Sequence, residues 1–273
     1  HKKSKVILAM SKTSDTFQTY YKYKKINEKN PIVFIHGIGL THEIWDQQIG
    51  FFKNYNTIVY DLVAHGKTPL NKKQINMKDF TKQLLNLINE LNLDKIHLVG
   101  FSLGSLIARD FAALHSDRLS SLTIFGTVYK RTEDEKKVVI NRYEMMKKNK
   151  DVTKKRALTR WFSEEFIKKN TLIYKKIYSM LENNVHKNWL KVYKLFVYHE
   201  DDDASIKKIK ANSLILTGEN DIGSKPEMSK KISKMIHGSE CKIIKNGKHL
   251  CNIECAEDFN ITIKEFIDNN AQA

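Results

Sequence analysis

The feature that most constrains the fold is an alternation of short apolar runs, rich in β-branched residues, with segments of helical period. It begins at Pro31, and chains patterned in this way build a mostly parallel sheet covered by helices. The predicted strands are residues 32–35, 57–61, 96–101, 122–125, 214–217 and 241–244. Two earlier segments, residues 6–9 and 17–24, predict an antiparallel hairpin at one edge. The sequence therefore predicts an α/β fold with a mostly parallel, eight-stranded sheet flanked by helices.

The alternation stops between about Thr127 and Ser205, where helical segments of mixed charge follow one another without a convincing strand. We therefore expect a core formed by residues 1–126 and 206–273, and a helical insertion formed by residues 127–205. The acidic run Asp201-Asp202-Asp203 near the end of the insertion predicts a solvated loop rather than a metal site.

The charge balance is strongly basic, with 47 Lys plus Arg against 31 Asp plus Glu and a net charge of +16. Only six of the cations are Arg, the residue best suited to phosphate and base recognition, and the Lys residues are interleaved with acids. We therefore expect no nucleic-acid partner. The insertion carries 19 basic and 12 acidic residues among 79, about twice the net charge density found elsewhere, which would suit an anionic ligand beneath it.

The cysteines and the apolar runs indicate the cellular compartment of the protein. Cys241, Cys251 and Cys255 are an odd number without a disulfide framework, which indicates a reducing compartment. Cys251 and Cys255, close to His249, resemble part of a zinc site, but a structural zinc needs four ligands. The apolar run of residues 6–10 is too short for a secretory signal, and no run approaches the 20 or so residues of a membrane span. We expect a soluble, cytoplasmic protein with no membrane partner; a homodimer is compatible with the sequence.

The most specific motif is Gly100-Phe101-Ser102-Leu103-Gly104, between a predicted strand and a predicted helix. It matches G-x-S-x-G, a sharp turn that lifts a nucleophilic serine clear of a sheet at the N-terminus of a helix. The flanking glycines leave room for neighbouring backbone. Ser102 is the predicted nucleophile.

A serine nucleophile needs a histidine base oriented by a carboxylate, supplied in the order Ser, acid, His by loops that follow later strands. Asp221 follows the strand at 214–217 and His249 follows the strand at 241–244, so these are the predicted acid and base. Glu219 is the nearest alternative for the acid.

The tetrahedral intermediate of acyl transfer needs two backbone N–H donors. One is predicted at Leu103, directly after the nucleophile, and the other at Ile38, in the glycine-containing loop His36-Gly37-Ile38-Gly39. His36 is expected to support that loop by hydrogen bonding rather than to act as a base.

The motifs together resemble those of the α/β-hydrolase fold superfamily over nearly the whole chain. The resemblance rests on the turn at Ser102, on the His36 loop and on Asp61-x-x-x-His65-Gly66, Gly218-x-x-Asp221 and Gly247-x-His249. Shorter segments resemble the 3-oxoadipate enol-lactonase and carboxylesterase-like group: Trp45-Asp46-Gln47-Gln48, Arg160-Trp161-Phe162, Gly223-Ser224-Lys225-Pro226 and residues 249–254. The resemblance implies that the insertion is a cap over Ser102, and Trp161 is the candidate substrate-binding residue in its wall.

The predicted function is hydrolysis of a small carboxylic ester or lactone through a Ser-His-Asp triad and an acyl-enzyme. The excess positive charge would suit an anionic substrate. This chemistry requires no metal and no organic cofactor. Two alternatives remain open. One is a cofactor-free perhydrolase or haloperoxidase-like enzyme, in which peroxide replaces water. The other is a signalling protein that keeps the fold and uses the pocket to bind a ligand.

Overall fold

The computed structural model describes residues 6–149 and 151–271, and it confirms the predicted α/β architecture. One eight-stranded sheet has the order β1-β2-β4-β3-β5-β6-β7-β8. Its strands are β1 Ile7–Lys12, β2 Tyr20–Lys25, β3 Ile32–Ile35, β4 Thr57–Tyr60, β5 Ile96–Phe101, β6 Leu119–Phe125, β7 Ser213–Gly218 and β8 Glu240–Ile244. The hairpin β1–β2 joins β4 in antiparallel pairing, and the strands from β3 to β8 run parallel.

Strand β6 begins at Leu119, three residues before the predicted start. The start of the strand was not predicted because the two serines that follow Leu119 interrupt the apolar run. Both serines are nevertheless buried. Ser121 Oγ lies 2.7 Å from Nδ1 of His97 on the neighbouring strand β5, so its polar atom is satisfied inside the sheet.

Helices cover both faces of the sheet. They are α1 Asp46–Phe51, α2 Met77–Glu90, α3 Leu103–His115, α4 Glu133–Lys148, α5 Val152–Trp161, α6 Glu164–Lys169, α7 Thr171–Glu182, α8 His186–Val197, α9 Asp203–Ile206, α10 Pro226–Met235, α11 Cys251–Glu254 and α12 Ala256–Asn269. Strand residues alternate between two buried clusters: Val33 and Ile35 pack with α2, α3 and α10, while Ile32 and Phe34 pack with α1 and α12. None of these helices is long and apolar enough to cross a membrane, within the residues described.

The chain between β6 and β7 contains helices α4 to α9, and both of its ends are fastened to the core through Arg109 of α3. Arg109 donates from Nη1 to the carbonyl of Val128 at 2.9 Å and from Nη2 to Oδ1 of Asp201 at 2.6 Å. The side chain of Asp201 is only 8% exposed, and the other oxygen of its carboxylate accepts from the backbone N–H of Lys130. The expectation of a solvated acidic loop is therefore wrong for Asp201, because a buried guanidinium from a distant helix pairs with it.

Candidate active site

Ser102 occupies a sharp turn between β5 and α3. Its backbone has φ 53° and ψ −113°, a left-handed conformation that a residue with a side chain adopts only under strain. Gly104 is required beside it, because a Cβ there would lie 2.5 Å from the carbonyl oxygen of Ile35. The backbone N–H of Ser102 donates to the carbonyl of Phe125 at 3.0 Å, which ties the turn to β6. The sheet thus holds Ser102 at the N-terminus of α3.

Asp221 and His249 follow the neighbouring parallel strands β7 and β8 and lie in contact. Nδ1 of His249 donates to Oδ2 of Asp221 at 2.6 Å. The backbone N–H groups of Gly223 and Ser224 donate to Oδ1 of Asp221 at 3.0 and 2.9 Å, so both carboxylate oxygens are engaged. This arrangement fixes the ring orientation of His249 and leaves Nε2 as its unprotonated nitrogen in the neutral state.

Glu219, the alternative acid, does not reach His249. It is exposed, and its Oε2 accepts from the backbone N–H of Asn246 at 2.9 Å. Of the two carboxylates after β7, the structure brings only Asp221 to the histidine.

A cavity of about 360 Å³ brings most of the predicted site residues together. Ser102, Asp221, His249, Ile38 and Trp161 all line it. The ring of Trp161 lies 6.2 Å from that of His249, centroid to centroid, and the backbone carbonyl of Trp161 accepts from the N–H of Leu250 at 3.2 Å. Trp161, at the end of α5, therefore forms part of the cavity wall beside the predicted base.

The predicted oxyanion donors lie on two segments that meet at Ser102. A Cβ on Gly37 would lie 3.3 Å from Cβ of Ser102, so the loop that carries Ile38 packs directly against the nucleophile. The side chain of Leu103 is fully buried, and its N–H belongs to the first turn of α3. Neither this N–H nor that of Ile38 donates to an acceptor within the described residues. Both remain available to a bound oxygen.

Two buried histidines hold the loop that carries Ile38. Nδ1 of His36 donates to the carbonyl of Gly37 at 2.7 Å, and its Nε2 accepts from the N–H of Leu62. His65 accepts from the N–H of Gly39 at 2.9 Å. Burial lowers the pKa of His36 to about 3 and also lowers the pKa of His65, so both rings are neutral near pH 7. The bonds of His36 are of the supporting kind expected for it.

Three arginines line the cavity, Arg131, Arg142 and Arg160. Sequence reasoning named only Arg160, as the neighbour of Trp161, and missed Arg131 and Arg142. They come from α4, from α5 and from the residues just before α4. A signal was present in the sequence, since four of the chain's six arginines lie in the insertion. Helical periodicity does not show which face of a helix turns toward a cavity, so this signal could not identify the lining residues.

Comparisons with known proteins show which family the chain belongs to. A family model described as the alpha/beta hydrolase fold matches residues 30–255. The (E)-2-((N-methylformamido)methylene)succinate hydrolase of Acinetobacter baylyi is 28% identical over 248 residues, which cover 90% of this chain and 93% of that protein. The 3-oxoadipate enol-lactonase 1 of the same organism is 25% identical over 232 residues, which cover 84% and 85%.

A solved structure shows the same likeness in three dimensions. The enol-lactonase from Burkholderia xenovorans LB400 superposes with a TM-score of 0.83 at 19% identity, over 92% of this chain and 97% of that one. Since the family match spans most of the sequence and the structural likeness nearly all of it, the chain belongs to the alpha/beta hydrolase fold family.

Proposed function

We propose that the protein is a serine hydrolase of small carboxylic esters or lactones that works through an acyl-enzyme. The observation that carries this proposal is the single cavity lined by Ser102 on its strained turn and by the hydrogen-bonded pair of His249 and Asp221. A nucleophile, a base and a carboxylate that orients the base are the groups that acyl transfer requires.

The reaction follows from these groups. Oγ of Ser102 attacks the carbonyl carbon while Nε2 of His249 takes the hydroxyl proton, and the negative charge that develops on the oxygen is stabilised by the N–H groups of Ile38 and Leu103. The intermediate collapses, the C–O bond to the leaving group breaks, and His249 returns the proton to that group. Water, activated by the same histidine, then attacks the acyl-enzyme and releases the acid. Asp221 keeps the imidazole oriented and stabilises its charged form.

The insertion acts in this proposal as a cap that covers Ser102 and selects the substrate. It contributes much of the cavity wall, including Trp161, Ala157 and Leu181. Asn184 also reaches from the insertion to the carbonyl of Gly39 at 2.8 Å, which fixes it against the loop that carries Ile38. Apolar cap residues over a polar catalytic floor suit a small organic substrate. The two curated relatives are named for reactions on small organic compounds, which supports the same substrate size.

Turnover of p-nitrophenyl acetate and butyrate tests the proposal. Ser102→Ala should abolish turnover while the thermal unfolding curve stays that of a folded protein, and Ser11→Ala, at an exposed serine of β1, should behave as wild type. Turnover in Ser102→Ala near the wild-type rate would contradict the mechanism. A single stoichiometric acylation of Ser102, without later turnover on any ester, would favour the ligand-binding alternative.

A further inference from the structure

The described wall of the cavity has more basic than acidic side chains, five (Arg131, Arg142, Lys154, Arg160 and Lys225) against three (Asp134, Glu135 and Asp221). Arg131, Arg142 and Arg160 all line the cavity, and none of the three forms an ion pair within the described residues. Arg109 does form an ion pair, with Asp201, but neither of these two residues lines the cavity.

The carboxylates in the cavity wall interact with groups other than the three arginines. Glu135 pairs with Lys225 at 2.7 Å, and Asp221 bonds to His249. Asp134 is exposed, and its Oδ1 lies 3.8 Å from Nζ of Lys137. The arginines therefore have no acidic partner among the described residues of the wall.

The guanidinium of Arg131 is fixed by contacts that leave one of its nitrogens without a hydrogen bond. Its Nη1 donates to the carbonyls of Phe196 and Val197 at 3.2 and 3.3 Å, and its guanidinium lies 4.7 Å from the ring centre of Phe196. Its Nη2 is buried and has no hydrogen-bond partner in the described part of the chain. Because Nη1 is used and Nη2 is not accessible from the cavity, Arg131 adds positive charge to the cavity wall rather than a free Nη donor.

Arg142 and Arg160 are partly buried and close enough to affect one another. Burial, and then the positive charges of Arg142 and Arg156, lower the pKa of Arg160 to about 10. Arg160 directly precedes Trp161, the residue whose ring lies beside His249. Like charges gathered in a partly desolvated cavity cost free energy that a bound anion would offset.

We propose that the substrate carries a carboxylate on the part that does not react, and that Arg142 and Arg160 bind this group, with Arg131 adding positive charge in the same cavity wall. The proposal rests on the serine hydrolase function proposed above and narrows its substrate class to carboxylate-bearing esters and lactones. A guanidinium is suited to this task, because its planar donors match a carboxylate in paired hydrogen bonds. The arginines would act by binding and orientation, and Ser102 and His249 would carry the chemistry.

The test compares two esters with the same leaving group and the same six-carbon acyl chain, p-nitrophenyl hydrogen adipate and p-nitrophenyl hexanoate. The variants are Arg142→Gln and Arg160→Gln. Arg131 is left intact, because its bonds to Phe196 and Val197 also support the insertion. Lys155→Gln is the matched control, since Lys155 lies on α5 with Arg160 but is exposed and does not line the cavity.

Wild type should prefer the hydrogen adipate. Arg142→Gln and Arg160→Gln should each lower kcat/KM for the adipate ester about 10- to 100-fold more than for the hexanoate, the range expected for losing a hydrogen bond to a charged group. Lys155→Gln should keep the wild-type preference. An equal loss on both esters, or the same selective loss in Lys155→Gln, would overturn the proposal.

Calorimetric titration of adipate into Ser102→Ala separates this proposal from the catalytic one. If wild type cleaves neither ester and adipate binds with an affinity that falls about tenfold or more in the Ser102→Ala/Arg160→Gln double variant, the anion site stands and the serine hydrolase function fails. If adipate does not bind and the hexanoate is cleaved at least as well as the adipate ester, the hydrolase function stands and the anion site fails.

Discussion

Oδ2 of Asp221 lies 2.6 Å from Nδ1 of His249, although 28 residues separate them in the chain. The two residues meet because β7 and β8 are adjacent and parallel, so the loops at their carboxyl ends lie side by side. Oδ1 of Asp221 is held by two backbone N–H groups of its own loop. The pair is therefore positioned by the sheet and by the turn after β7.

Asp221→Asn should lower kcat on p-nitrophenyl butyrate by about 10³- to 10⁴-fold, because an amide cannot stabilise the imidazolium and favours the wrong tautomer of His249. Its effect on KM should be small, since the carboxylate acts through His249 and not on the substrate. Glu219→Gln is the matched control and should keep kcat within about twofold of wild type. Equal losses in the two variants would contradict the assignment of Asp221 as the orienting acid.

Gly104→Ala should destabilise the protein by about 1–3 kcal/mol, because the new Cβ would lie 2.5 Å from the carbonyl oxygen of Ile35. Gly50→Ala, in helix α1, has no neighbouring atom within 4 Å of its new Cβ and should stabilise by about 0.5–1 kcal/mol. Urea unfolding of both variants measures the difference. If Gly104→Ala were as stable as wild type, the close packing of α3 on the loop after β3 would be wrong.

The buried His36 should make stability depend on pH in the acid range. Burial lowers its pKa to about 3 in the folded protein, from 6.5 for a free imidazole. Between these values the unfolded chain binds a proton that the folded chain does not, so the free energy of unfolding falls as pH falls from about 6.5 toward 3. Between pH 7.5 and pH 5 this one group accounts for a loss of about 2 kcal/mol.

The variant His36→Asn removes the titrating ring and keeps a side-chain N–H for the carbonyl of Gly37. Its free energy of unfolding should fall by about 2 kcal/mol less than that of wild type over the same pH interval, as measured by urea unfolding. His237→Asn, at an exposed position, is the control. Identical pH dependence in wild type and His36→Asn would show that His36 is not held neutral by burial.

The fold was predictable because its signals are local. Parallel strands buried on both faces appear as continuous apolar runs, which describes β3 to β7. All six strands predicted from Pro31 onward are present, including the mostly exposed edge strand β8. The early start of β6 was hidden because Ser121 is buried only with the help of His97, a contact between distant segments. Asp201 was misjudged for the same reason, since its partner Arg109 lies on α3.

The same difference between local signals and contacts of distant segments applies to the candidate site. The turn at Ser102 and the loops with Asp221 and His249 lie at the ends of strands, so strand prediction was enough to bring them together. The arginines of the cavity lie on or beside helices of the insertion, whose packing depends on contacts among α4, α5, α7 and α8. Sequence patterns in such helices predict which faces are apolar but not which cavity they enclose.

The most direct test of the central claim is covalent labelling of wild type and Ser102→Ala with a fluorophosphonate, followed by intact mass and peptide mapping. The account predicts one adduct per chain, located on Ser102, and none in Ser102→Ala. The labelling rate should also fall in Asp221→Asn, because the base is then misoriented. An adduct on another residue, or no adduct in the folded wild type, would contradict the claim that Ser102 is an activated nucleophile.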